Sequence, residues 1–355
     1  MQEQDTQGRL KQASRGRDAR SPLEVPPKGW KDILWRTWGE ISDDRVTLIS
    51  AGATYYLLLA LFPTIVAFVS IYGLFTDPST VNEHIRMLSG IVPAGGLALI
   101  DEQLTRLTVQ GPTTLGWGLV FSLALALWSS SSGIKTLFEA MNVVYDEREK
   151  RSFFAFNLLA LLFTVGALLA GIAMISVVIL IPAILGSIGL STGFEWLIQA
   201  LGYCLLVGLL LAGIAALYRL GPSRRQAKWR WLTPGAVLAV AVIIIASLIY
   251  SWYSANFANY DNTYGSLGAL IGFLTWMWIS ITVVIVGAEL NSEIEHQTAI
   301  DSTIGYDRPI GTRRAKMADT LGKSTAEGGE TSAVEESPEW RAGFAAAQGR
   351  GRSPP

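Results

Sequence analysis

From Gly265 to Ala288 no residue carries a charge, and a run of that length crosses a bilayer core as a helix, for which about 20 residues suffice. The run starts after a polar, aromatic turn (Tyr260, Asp261, Asn262, Thr263, Tyr264) and ends on Glu289. Gly265, Gly268 and Gly272 lie in its first turns, and the GxxxG pair Gly268/Gly272 lets another helix approach closely. A chain that contains this stretch has to supply a membrane bundle around it.

Composition agrees. Half of the residues are hydrophobic and 16% are charged, and the charges gather at the ends and in short gaps, which is the pattern of a polytopic all-α membrane protein. Spans are expected near 46–75, 115–137, 153–181, 194–218, 232–255 and 265–290, six in all. Basic residues crowd the stretch before the first span, the gap with Arg148, Lys150 and Arg151, and the gap with Arg219, Arg224, Arg225, Lys228 and Arg230. The gaps at 182–193 and 256–264 have none. This alternation places both termini in the cytoplasm.

Around the transmembrane domain at 46–295, residues 1–27 are poor in apolar side chains and read as a disordered cytoplasmic tail, as do residues 296–355. The first 45 residues are polar, so no cleavable signal peptide is expected and the first span stays as an anchor. At 28–45, Trp30, Ile33, Leu34, Trp38 and Ile41 recur at helical spacing, as in an amphipathic helix lying in the membrane interface or packed on the bundle. The long outer gap at 76–114 predicts two short amphipathic helices, a lid or a substrate gate. Thr233–Pro234 reads as the start of the fifth span.

Several motifs occur in one order. They are AGATYY at 51–56 leading to LFP at 61–63, WSSSSG at 128–133 with Asn142 and Tyr145, YRLGP at 218–222, WRWLTPGA at 229–236, Tyr264–Gly265, and GAELN at 287–291. With them the chain resembles the YihY/BrkB family of bacterial inner-membrane proteins, historically labelled ribonuclease BN. The resemblance implies a six-helix protein of the cytoplasmic (inner) membrane, with cell-envelope or virulence roles and a transporter-like or lipid-handling activity.

The ribonuclease label makes a chemical demand: phosphodiester hydrolysis needs a metal site or a histidine acid–base pair. The chain has two histidines, His84 in the outer gap and His296 beyond the last span, on opposite sides of the membrane in this topology. Glu293, Glu295 and His296 read as a solvated helix end. The lone Cys204 excludes an intramolecular disulfide and a thiolate cluster. No catalytic residue, metal site or cofactor is expected; the basic residues in the gap before Leu232 could bind phosphate, but positive-inside topology already explains them, and no nucleic-acid partner is expected.

Polar groups at membrane depth indicate where function lies. Lys135, Arg219 and Glu289 fall near the inner ends of spans two, four and six and are expected to form one charged cluster, either a structural lock or a gate worked by Glu289; Lys135 and Arg219 could otherwise snorkel to the surface. A substrate path is expected along Tyr55, Tyr56, Pro63, Ser130, Asn142 and Tyr264. Pro63 bends its helix, and the serines at 129–132 bond back to their own backbone or meet a ligand. The favoured function is movement of a lipid or other amphiphile, with membrane lipids as partners. The alternative is a non-transporting scaffold that recruits envelope proteins.

Overall fold

A computed structural model describes residues 14–73, 117–188, 192–257 and 266–325. The outer gap at 76–114, Tyr264 and Gly265 lie outside the described residues. A 3-10 turn at Pro22–Glu24 precedes α1 (Pro27–Asp43), followed by α2 (Val46–Gly73), α3 (Trp117–Val144), α4 (Phe153–Ile188), α5 (Thr192–Leu220), α6 (Trp229–Phe257), α7 (Ser266–Gln297) and the short α8 (Lys316–Asp319). The regular elements are all helical, and the extended pairing among the described residues is an isolated bridge between Ala227 and Thr303.

Among the described residues four segments are long and apolar enough to cross a membrane: Phe153–Val177, Trp196–Leu220, Trp229–Trp252 and Leu270–Gln297. The apolar part of α2 is the shorter Val46–Leu61. Each long helix packs on the next, and α7 closes the ring by touching α2 and α3 as well as α6. Leu158, Leu162, Leu201, Leu248 and Ile249 point outward. A water-soluble bundle would bury such side chains, whereas hydrocarbon solvates them at no cost.

Hydroxyls inside the bundle are satisfied locally. Ser50, Thr54 and Thr64 donate to the carbonyls of Val46, Ser50 and Ala60, and Ser131 and Ser132 to those of Trp128 and Ser129, at 2.6–2.7 Å. This back-bonding keeps a polar group in a dry layer without a partner helix. Others reach across: the Tyr218 hydroxyl donates to the Val284 carbonyl at 2.6 Å between α5 and α7, and Thr64 and Ser130 share a hydrogen bond of 2.7 Å between α2 and α3. Nearby, a Cβ on Gly133 would meet Leu57 Cδ2 at 2.7 Å, so the glycine sets how closely α2 and α3 approach.

The tightest contact joins α6 to α7. A Cβ on Gly235 would lie 1.9 Å from the Gly287 carbonyl oxygen, and one on Gly287 would lie 2.5 Å from the Tyr218 hydroxyl. Asn291 bridges the same crossing, accepting from the Gly235 N–H at 2.8 Å and donating to the Leu232 carbonyl at 2.9 Å. Of the expected pair, Gly272 faces the Tyr250 hydroxyl, which a Cβ would meet at 2.2 Å. The start of α6 differs from expectation: the helix begins at Trp229, so Pro234 is internal and Thr233 donates back to the Trp229 carbonyl.

The largest fully buried side chains, Trp231, Tyr145, Tyr218, Phe138 and Ile33 among them, sit at one end of the ring. Here α1 and segments 14–26 and 298–325 cover the end of α7. Those two segments belong to the stretches expected to be disordered, and they are ordered. Arg17 donates to the Gln297 carbonyl at 3.2 Å and to Gly322, Thr298 donates to the Ala19 carbonyl at 2.6 Å, and the Gly322 N–H caps the His296 carbonyl at 2.9 Å. Composition misled because these segments bury little apolar surface and are fastened instead by the orphan carbonyls of a helix end.

Gly235→Ala should be destabilising by about 1–3 kcal/mol, the usual cost of overpacking, because its methyl would strike backbone. Gly213, with open space around it, is the control: Gly213→Ala should leave thermal stability in detergent unchanged or slightly raised.

Candidate functional site

α1 is amphipathic, and the face it turns inward is polar. Ile33 is buried, but so are Asp32, Arg36 and Thr37, while Leu34, Trp35 and Trp38 are exposed, Trp38 at 76%. A helix against a bilayer can present tryptophans to the interface and its charges to the protein. Arg36 therefore reaches the end of α7: its guanidinium pairs with Glu293 and donates to Gln297 Oε1 at 2.8 Å and to the Lys323 carbonyl at 2.8 Å. Asp32 takes Arg15 at 2.5 Å and both the N–H and hydroxyl of Thr325.

The last turns of α7 are thus not solvated. Glu289, Asn291, Ser292, Glu293 and Glu295 are all fully buried, because α1 and the C-terminal segment cover them. Arg224 forms a two-pronged pair with Glu295 at 2.7 and 2.9 Å, and its guanidinium lies 4.0 Å from the Tyr145 ring centre. Ser302 donates to the same carboxylate at 2.9 Å.

The expected charged cluster does not form. Lys135 stands over the Trp128 ring at 4.9 Å and Arg219 over the Trp229 ring at 4.3 Å, while Glu289 is buried beside Ser292, 3.5 Å away. No ion pair joins the three; aromatic rings at the membrane boundary hold the two cations instead. Nor do the expected path residues line one route. Tyr55 and Tyr56 are 58% and 49% exposed and pack edge to face on each other, Pro63 is half-buried within α2, and Ser130 is spent on Thr64.

Asn142 does reach a site. At the end of α3 its amide accepts from the Ser223 N–H at 2.7 Å and donates to Glu149 at 3.1 Å. It ties the loop after α5 to the loop between α3 and α4, and between them opens a cavity of about 700 Å³. Lys150, Arg151, Arg219, Arg224, Arg225 and Arg314 line it, with Leu159, Leu220, Pro222, Ser223 and Gln226, and among the described residues no acidic side chain does. Arg151 donates to the carbonyls of Leu220, the last residue of α5, and of Gly221 just after it at 3.0 and 2.7 Å, where a helix end favours a cation. Phe153 and Phe154, which follow Arg151 in sequence, and Trp229, whose ring holds Arg219, are exposed, and aromatics of this kind mark the interface. Sequence reasoning placed Arg219 in the charged cluster and let topology explain the other basic residues of the gap before Leu232, with phosphate binding as the alternative. The missed signal was their interleaving with Gly221, Pro222 and Ser223, which makes a tight turn out of a basic loop.

Burial alone would raise the Glu149 carboxyl, but hydrogen bonds from the Arg151 side chain and N–H and from Asn142 outweigh it and hold it at about 2. A carboxyl lowered on folding stabilises the protein above its unfolded value and ceases to as pH falls through the folded one. Wild type should therefore exceed Glu149→Gln in thermal stability at neutral pH, and the gap should close between about pH 4.5 and pH 2. For the buried pair, Arg36→Met alone should cost about 3–5 kcal/mol by stranding Glu293, and Arg36→Met with Glu293→Leu should recover much of it. A double-mutant cycle of denaturation in detergent measures both.

Comparison with known proteins follows the same stretch. A family model described as Virulence factor BrkB matches residues 37–308. A ribonuclease-like protein, YfkH, of Bacillus subtilis (strain 168) is 31% identical over 253 residues, 68% of this chain and 88% of the relative. UPF0761 membrane proteins of Photobacterium profundum and Haemophilus influenzae are 25% and 23% identical, covering 72% and 73% of this chain and 78% and 93% of theirs. No solved structure matches.

Proposed function

The chain belongs to the virulence factor BrkB family, and from that premise we propose that it is a six-span protein of the bacterial cytoplasmic membrane, both termini inside, that handles a lipid or another amphiphile. The observation that carries this reading is the basic cavity: about 700 Å³ of space lined by six cations, three apolar residues, Ser223 and Gln226, at the end of membrane-length helices, with its Arg219 over the exposed Trp229. A site with a cationic wall, an apolar wall and a mouth at the interface fits a molecule with an anionic head and a hydrocarbon body. The concentration of Lys and Arg at this end of the bundle supports a cytoplasmic orientation.

The reading is non-enzymatic and invokes neither cofactor nor nucleic acid. A ribonuclease-like name on one relative brings no hydrolytic residues to this site, whose lining is built for holding charge rather than for activating water. The packed contact of α2 on α3, with Ser130 and Thr64 satisfied by each other, favours the scaffold as the second reading, in which the cavity anchors a lipid that is not moved.

Reconstitution into liposomes separates the two. A transporter-like protein should speed the exchange of a fluorescent amphiphile between leaflets over protein-free vesicles, and Arg219→Gln should slow it. Exchange at the protein-free rate for both anionic and zwitterionic probes would leave the scaffold.

A further inference from the structure

We propose that the cavity is a binding site for a phosphate-class dianion, a phosphomonoester group above all, and that the C-terminal segment completes it by supplying Arg314. The proposal rests on the amphiphile reading only for the source of that phosphate.

Charge balance sets the ligand's charge. Of the lining cations, Arg151 is paired with Glu149 at 2.7 Å, Arg224 with Glu295 at 2.7 Å and Lys150 with Glu147 at 2.5 Å. Arg225 has Asp301 at 3.7 Å, too far for a hydrogen bond. Arg219 and Arg314 have no ion pair among the described residues. Two positive charges of the lining are left without a counter-ion there, so the cavity calls for two negative ones.

Unused donors set the ligand's shape. Among the described residues, three buried guanidinium nitrogens lack an acceptor: Arg219 Nε, Arg224 Nε and Arg225 Nη1. All three residues line this one cavity, and the Arg224 side chain is 1% exposed. Buried donors are almost always satisfied, so three in one place point to a ligand that accepts from them. Several guanidinium groups lining one cavity suit a tetrahedral oxyanion, whose oxygens can each take a donor, better than a planar carboxylate. The volume exceeds what a phosphate group fills, and Leu159, Leu220 and Pro222 would line the adjoining apolar part of the ligand.

The outer wall is the C-terminal segment. It is fastened to the loop after α5 by the Ala227–Thr303 bridge, by Lys228 N–H to Ser302 carbonyl at 2.8 Å, by Ile304 N–H to Gln226 carbonyl at 2.9 Å and by Arg225 N–H to Arg314 carbonyl at 3.1 Å. On the far side the Lys316 N–H meets Glu147 at 2.8 Å. The segment thus spans from the loop after α5 to the loop after α3, across the cavity, and holds Arg314 at its edge with a left-handed φ of 62°.

The test uses the full chain in nanodiscs. One arm compares retention of phosphatidic acid with phosphatidylcholine by native mass spectrometry; the other titrates inorganic phosphate and glycerol 3-phosphate and reads the thermal midpoint. Phosphatidic acid should be preferred by about tenfold or more, the worth of a lost charge-assisted contact. Arg219→Gln and the exposed Arg314→Gln should each abolish that preference and the phosphate-induced shift, while Lys31→Gln, at an exposed position on α1, should keep both. If soluble phosphate shifts the midpoint with the same arginine dependence but the lipid is not retained, the dianion site stands and the amphiphile reading falls. If phosphatidic acid is retained equally by both arginine variants, or phosphate binding ignores Arg314, the proposal is overturned.

Discussion

Desolvation of acid groups at the end of α7 is the constraint on which the polar end of this protein depends. Glu293 and Glu295 are fully buried, and an unpaired carboxylate there would cost several kcal/mol. Arg36 from α1 compensates the first and Arg224 from the loop after α5 the second. Neither arginine is free to move elsewhere, so two charge pairs fix where α1 and that loop must sit. The cavity inherits its shape from this arrangement, since Arg224 lies between the carboxylate of Glu295 and the open space.

The membrane-embedded part obeys a different rule. With lipid outside, apolar burial does not drive helices together, and contact depends on how closely backbones approach. Gly235 against Gly287 and Gly133 against Leu57 provide that approach, and Asn291 adds two hydrogen bonds that hydrocarbon leaves unchallenged. Thus the apolar layer is held by glycine and amide, and the end by paired charges.

This division explains what could be read from residues alone. Long uncharged runs such as 265–288 specify membrane helices through hydropathy and length, which are local properties, so the helices were legible to within a few residues at most ends. The polar cap was not. Arg17 finds Gln297 and Asp32 finds Thr325 across most of the chain, and no local pattern announces such partners. The site was half legible: Arg219 and Asn142 were singled out, but Lys135, Arg219 and Glu289 were grouped by depth alone, and depth says nothing about azimuth around the ring. Trp128 and Trp229 hold the two cations instead.

The pair of Arg36 with Glu293 closes a loop of 257 residues. In a chain made from the N-terminus onward, α1 therefore waits with an unmatched guanidinium through the synthesis of every span, and the final helix arrives with unmatched acids. Their meeting is an event of late biogenesis. It makes the junction between the first and last helices a checkpoint, at which a bundle missing any intervening span would leave both charges exposed to whatever surveys the membrane for unfinished proteins.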